Sequence, residues 1–103
     1  MDELARPGVA RLRTDRACLA LLQSEIDLAF GFLRLAQVES HGGNSAHAAD
    51  LIAKAALAHK AVLKDLPSLS LESEEEMREL QRSVRKLFET IRAVERLRTE
   101  VYF

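Results

Sequence analysis

Two titratable residues, Glu25 and His59, fall among apolar residues in segments with helical periodicity. A helical wheel places Glu25 within the apolar arc of the first segment and His59 near the centre of the apolar face of the second. A carboxylate and an imidazole on facing helices could bind a metal ion or relay a proton. They could also form a buried hydrogen-bonded pair or face a subunit interface. Because a metal site needs three or four ligands and the chain has no Glu-x-x-His motif, we expect a buried polar pair without metal or cofactor.

Other polar residues are weaker candidates for a metal site or a nucleophile. His41 and His47 flank a glycine pair and, with Asn44 and Asp50, could form a surface metal site, but solvated turn residues are the expected alternative. Cys18 has no activating partner nearby in the sequence, so we expect a small core residue and not a nucleophile. No Gly-rich phosphate loop or nucleophile–base motif is present, and we therefore expect no enzymatic activity.

Arginines form two clusters that could meet phosphates or an acidic partner. One cluster lies along the third helical segment and comprises Arg78, Arg82, Arg85, Arg92 and Arg96. The other lies near the N-terminus and comprises Arg6, Arg11, Arg13 and Arg16. Glutamates interleave with the first cluster at spacings suited to exposed ion pairs, and the formal net charge of the chain is −1. Nucleic-acid or anionic-surface binding therefore stays an alternative, and a solvated helix face is expected.

Three segments with helical periodicity must position these residues. Helix one is predicted from Thr14 to Ser40, helix two from Ser45 to Asp65 and helix three from Glu72 to Val101. Gly42 and Gly43 mark the first turn, where one of them should adopt a positive φ. Pro67 ends helix two, and Ser73 has capping-box spacing to Glu76.

The apolar residues of helix one form two stripes, which is more than one neighbouring helix can cover. The first stripe is Leu19, Leu22, Ile26, Ala29, Leu33 and Ala36, and the second is Cys18, Leu21, Leu28, Phe32 and Leu35. Gly31 is expected on the polar side. Helix two presents an alanine-rich face, and helix three keeps an a/d register through Met77, Leu80, Val84, Leu87, Ile91 and Val94, with Phe88 beside it.

The connections between these segments are short, which favours antiparallel neighbours. The predicted fold is all-α: an antiparallel up-down-up three-helix bundle over residues 14–103 with a long C-terminal helix, preceded by a flexible arm at residues 1–13. Helix three should be longer than helix two and project past it, carrying an apolar tail. We expect this tail and part of the second stripe to form a partner or self-association surface made of Phe32, Leu35, Leu97, Val101, Tyr102 and Phe103.

Length and composition limit the classes of protein to which the chain could belong. The chain has 103 residues, enough for one domain, with 48% apolar and 30% charged residues, which argues against disorder. Its single cysteine excludes an intramolecular disulfide and fits a reducing compartment. The start of the chain is unlike a signal peptide, and no stretch is apolar enough to span a bilayer. We therefore expect a cytoplasmic protein that does not engage a membrane.

Residues 32–55 carry a further pattern. An aromatic and a Leu-Ala pair lie in helix one at Phe32, Leu35 and Ala36, and Gly43 stands at the turn. Small residues at Ala48 and Ala55 flank Ile52 in the second helix, where Ile replaces the usual aromatic. The pattern resembles one tetratricopeptide-type helical hairpin, although Glu39 replaces the usual Tyr and only one copy is present. With a long third helix, the chain also resembles a microtubule-interacting-and-transport-type domain.

Both resemblances imply a non-catalytic module that binds a peptide or a helix in a groove. The expected function is a protein–protein interaction module or small scaffold, with no small-molecule substrate. A homo-oligomer, most simply a dimer, is the first alternative, because pairing would cover the excess apolar surface. Weak nucleic-acid or anionic-surface binding through the arginines is the second. A metal protein or enzyme built on Glu25 and His59 is the third.

Overall fold

Three α-helices make up most of the chain in a computed structural model that describes residues 7–71 and 73–100, with side chains described for 15–71 and 73–98. The elements are α1 (Pro7–His41), α2 (Ser45–Asp65), a 3₁₀ turn (Leu66–Ser68) and α3 (Glu74–Glu100). No strand occurs among the described residues. The prediction of an all-α fold with three helices and a long last helix is confirmed.

The first helix begins earlier than predicted. It starts at Pro7, so residues 7–13, which were predicted to belong to the N-terminal arm, are helical. Proline suits the first position of a helix because its fixed φ is already helical and its missing N–H would have no partner there. The first six residues of the predicted arm lie outside the described residues. With 35 residues, α1 is about 52 Å long, and it rather than α3 is the longest helix.

The end of α1 is a Schellman motif built on Gly43. This residue has a φ of +83°, its N–H donates to the Ser40 carbonyl, and the Asn44 N–H donates to the Glu39 carbonyl at 2.8 Å. Two carbonyls left free at the helix end are thereby satisfied. The side-chain oxygen of Asn44 then accepts from the His47 N–H at 3.3 Å and caps α2. The predicted turn, with a positive φ at one glycine, is confirmed.

The second connection is tied to the core by Leu69. Helix α2 ends at Asp65 as predicted, and Pro67 follows within a 3₁₀ turn. Beyond the turn Leu69 is buried.

The Ser73 hydroxyl accepts from the Glu76 N–H at 3.2 Å and caps α3. This is one half of the predicted capping box, because the Glu76 carboxylate bonds to Arg16 instead, at 2.6 Å.

One apolar core lies between the three helices, each of which contacts the other two. Its buried side chains are Leu19, Leu22, Ile26, Ala29, Leu33 and Ala36 of α1; Ala48, Leu51, Ile52, Ala55 and Val62 of α2; Leu69; and Leu80, Val84, Leu87, Ile91 and Val94 of α3. The first predicted stripe of helix one is therefore entirely buried, and so is the a/d stripe of helix three after Met77. Alanines at Ala36, Ala48 and Ala55 are fully buried, which lets the backbones approach closely.

Candidate interaction surface

A row of large aliphatic side chains on α1 faces away from the core. Leu21, Leu28, Leu35 and Val38 expose 63%, 57%, 53% and 65% of their surface. Together with Ser24 and Gly31 they recur at alternating spacings of three and four residues, which are the a and d positions of a heptad repeat. We call these six residues the α1 outer face. It contains the three exposed members of the second predicted stripe, and it adds Ser24, Gly31 and Val38, which were not part of that prediction.

The remaining members of the second stripe lie between this face and the core. Cys18 and Phe32 are half-buried and pack against the core cluster. An open groove of about 400 Å³ runs beside Phe32. It is lined by Leu28, Gly31, Phe32, Arg34, Leu35 and Val38. Thus Phe32 and Leu35, both predicted surface residues, share one apolar groove, while Leu97 does not line it.

Gly31 lies in this groove and not on the polar side where it was expected. A glycine in a helix interior costs about 1 kcal/mol relative to alanine. Internal packing does not require it, because a Cβ added at Gly31 would contact only the Arg34 guanidinium, at 3.9 Å. At 100° per residue Gly31 lies beside the second apolar stripe, next to Ser24 and Val38, so it belongs to the outward-facing side of α1.

One acid and one base flank the α1 outer face on the same side. Asp27 and Arg34 are two helical turns apart, each one residue before an a-position leucine, and both are exposed. Neither forms an ion pair within the described part of the chain, whereas Glu39, on the other flank, lies 3.5 Å from the His47 Nδ1. The outer face therefore has one flank whose charges form no ion pair among the described residues.

Glu25 and His59 are not joined by a hydrogen bond or an ion pair in the structure. The His59 ring stacks on Phe88 of α3 with centroids 5.5 Å apart, and the Arg92 guanidinium lies 5.6 Å from the centre of the same Phe88 ring. Burial lowers the pKa of His59 below its ordinary value of 6.5, because desolvation disfavours the charged imidazolium. Glu25 is half-buried, and its Oε2 atom is shielded from solvent and has no hydrogen-bond partner among the described residues.

The other candidate residues are dispersed over the surface. His41 and His47 are exposed at the α1–α2 turn, where the His47 N–H donates to the side-chain oxygen of Asn44. No group of three or more histidine, cysteine or acidic side chains in the described part of the chain is placed to hold a metal ion. Leu57 and Leu63 of α2 are also exposed, but they lie outside the α1 groove.

The arginines of α3 alternate with carboxylates. Arg78 lies 3.6 Å from Glu74, and Arg98 lies 3.8 Å from Glu95. The shallow concavities on this helix are lined by both signs of charge, with Glu89, Arg92, Glu95 and Arg96 in one of them. Of the N-terminal arginines, Arg16 bonds to Glu76, while Arg6, Arg11 and Arg13 lie outside the residues whose side chains are described.

The structure describes only one residue of the predicted apolar tail, Leu97. Leu97 is 45% exposed near the end of α3. Val101, Tyr102 and Phe103 lie outside the described residues. None of the helices in the described part of the chain offers a stretch both long and apolar enough to cross a bilayer.

No protein-family model, curated protein or solved structure matches this chain.

Proposed function

We propose that this protein is a non-catalytic helical interaction module that binds another protein helix through the α1 outer face. One observation carries the proposal. Leu21, Leu28, Leu35 and Val38 expose more than half of their surface and are aligned over more than four helical turns. Monomeric proteins seldom keep a contiguous apolar patch of this kind exposed, because covering it with a partner is favourable.

The spacing of these residues supports a helix as the partner. Side chains at a and d positions form a straight apolar seam, and such a seam packs best against a second helix whose side chains fit between them. Gly31, at the centre of the seam, also supports a helix as the partner, because a small residue lets a second backbone approach closely. The resemblance of residues 32–55 to tetratricopeptide-type and microtubule-interacting-and-transport-type modules points to the same class of function.

A photo-crosslinking amino acid placed at position 35 tests the proposal in the native host. We expect position 35 to give a discrete crosslinked species, either with a second copy of the chain or with another protein. The same amino acid at position 57 is the matched control, because Leu57 is 67% exposed on α2, outside the groove. Absence of any discrete product at position 35, or equal products at both positions, would exclude the α1 outer face as a binding surface.

We further propose that the three helices run up-down-up. The Schellman turn between α1 and α2 is short, which favours antiparallel neighbours. The ion pair between Arg16, in the first half of α1, and Glu76, in the first turn of α3, supports a parallel arrangement of those two helices. A spin label on Ser70→Cys in a Cys18→Ser background should broaden amide signals near residue 18 and not those near residue 40.

A cytoplasmic location is part of the proposal. The only cysteine, Cys18, is unpaired and half-buried, as suits a reducing compartment. Fractionation of host cells should recover the protein with cytoplasmic markers, and recovery with extracellular markers would exclude this location.

A further inference from the structure

We infer that the occupant of the α1 outer face is a second copy of this chain, with the two α1 helices packed antiparallel about a two-fold axis that lies at the level of residues 29–30 along α1. This inference rests on the proposed function and specifies its partner. The arguments are the order of large and small residues along the outer face and the order of charges along its flank. When α1 is paired with a second, antiparallel copy of itself, large residues meet small ones and the acid on the flank meets the base.

Large residues meet small ones when the face is paired with its own reverse. In an antiparallel pair each a residue of one helix packs against a d residue of the other. With the axis at residues 29–30, Leu28 packs over the partner's Gly31, and Leu35 packs over the partner's Ser24. At the two ends Leu21 packs against the partner's Val38. All six positions from 21 to 38 therefore find an opposing residue, and the space left by each small residue is filled by a leucine.

A parallel pair of the same helices fits less well. It would place Gly31 opposite the partner's Gly31 and Ser24 opposite the partner's Ser24 in their own layers. Leucines would then share the layers at 21, 28 and 35. The layers at Ser24 and Gly31 would hold little side-chain volume between leucine layers, which forfeits packing contacts at each small residue. The distribution of volume along α1 thus favours the antiparallel pair.

The flanking charges favour the same alignment. Asp27 and Arg34 occupy equivalent g positions two turns apart, and in an antiparallel pair the g positions of the two helices lie side by side. The axis that matches Leu28 with Gly31 also brings Asp27 beside the partner's Arg34 on one flank. The two-fold symmetry creates this ion pair twice. In a parallel pair Asp27 would lie beside the partner's Phe32 and gain no ion pair.

The antiparallel arrangement explains why a glycine occurs at position 31, in the middle of α1. Within the described part of one chain, a Cβ added at Gly31 would meet only the Arg34 guanidinium, at 3.9 Å. In the antiparallel pair it lies next to the axis, where the two helices are closest. A glycine that weakens its own helix is then explained by the room it leaves for the partner's Leu28.

Sedimentation of the purified full-length chain over a range of micromolar concentrations tests the pairing. We expect twice the monomer mass of 11.5 kDa, with Leu28→Glu weakening association by at least about a hundredfold, since a charge replaces a buried leucine at two symmetric sites. Leu57→Glu is the matched control and should associate like the wild type. Circular dichroism should show unchanged helix content in both variants, because both leucines are exposed in the single chain.

Charge exchange tests the orientation. Asp27→Arg and Arg34→Asp should each weaken the dimer roughly tenfold, because each substitution places like charges together twice. The double variant carrying both substitutions should recover most of the lost affinity, since each pair is restored with its signs exchanged. Failure of the double variant to recover would overturn the antiparallel alignment.

The two proposals can fail separately. A wild-type chain that remains monomeric at high micromolar concentration would overturn self-association. If the crosslink at position 35 then joins the chain to a different protein, the interaction module stands with a foreign helix as its partner. If that crosslink is also absent, the proposed function fails as well.

Discussion

Gly43 adopts a φ of +83°, in the left-handed region where a side chain beyond hydrogen meets the backbone carbonyl. Its neighbour Gly42 does not have a positive φ, and a Cβ added there would be in ordinary contact with the carbonyls of Val38 and Glu39, at 3.5 and 3.7 Å. The two adjacent glycines therefore differ in what they contribute, and only Gly43 is required by the turn.

Substitution of Gly43 by valine should lower the free energy of unfolding by more than about 1 kcal/mol, because a β-branched residue tolerates the left-handed region poorly. Urea denaturation followed by circular dichroism measures the effect. Gly42→Ala is the matched control and should be neutral or slightly stabilising, since it restricts the unfolded chain without straining the fold. Equal losses in both variants would contradict the assignment of Gly43 as the left-handed residue.

His59 should make the protein less stable in mild acid. Its pKa in the folded chain is lowered below 6.5 by desolvation, so above that pH the neutral ring is fully accommodated against Phe88. As the pH falls below 6.5, the unfolded state binds the proton more readily than the folded state, and the free energy of unfolding decreases. His59→Gln should lose less stability than the wild type over the same pH interval.

An NMR titration of the His59 ring gives a direct check, with a midpoint below 6.5 expected in the folded protein. A midpoint above 6.5 would mean that a neighbouring acid stabilises the imidazolium, and Glu25 would then be the first group to examine.

At the scale of an element, α1 differs from the other helices in having two apolar stripes. The stripe through Leu22, Ile26 and Leu33 lies in the core, whereas the stripe through Leu28 and Leu35 faces outward. Phe32 and Cys18 fill the angle between them. A helix with this much apolar arc is typical of one with neighbours on two sides, which is the physical basis of both proposals.

The start of α3 is held by Ser73, and its replacement by alanine should lower the free energy of unfolding by about 1 kcal/mol. The hydroxyl accepts the Glu76 N–H at 3.2 Å, and without it a free N–H at the helix start loses its partner. Ser70→Ala is the control, since Ser70 is exposed in the preceding connection and its hydroxyl forms no hydrogen bond among the described residues. Chemical denaturation distinguishes the two, and equal effects would contradict the cap.

At the scale of the whole molecule, the core decides which stripe of α1 is structural. Leu33→Ala should lower the free energy of unfolding by about 2–5 kcal/mol, because Leu33 is almost completely buried and its loss leaves a cavity between helices. Leu35→Ala, two residues away on the exposed stripe, should change it by less than about 0.5 kcal/mol. Both are best measured by urea denaturation in the Leu28→Glu background, where association does not contribute. A large loss for Leu35→Ala would mean that the outer face is covered within the chain.

Much of the architecture was determined by local sequence. The ends of α2, the left-handed glycine and the cap at Ser73 follow from short-range patterns, because caps and turns depend on residues within one or two helical turns of one another. The a/d stripe of α3 was likewise predictable from spacing alone. The start of α1 was placed too late, at Thr14, although Pro7 suits the first position of a helix.

Only the tertiary structure decided which apolar and polar side chains are left without a neighbour. The helical periodicity predicted two apolar stripes on α1. It could not predict that α2 and α3 cover Leu22 and Leu33 and leave Leu28 and Leu35 exposed. It also placed Glu25 and His59 on facing helices, whereas the packing of α3 brings Phe88 to His59. The cause is the same in each case: exposure and pairing depend on how helices far apart in sequence are packed, and the pattern of one helix contains no information about the direction from which its neighbours approach.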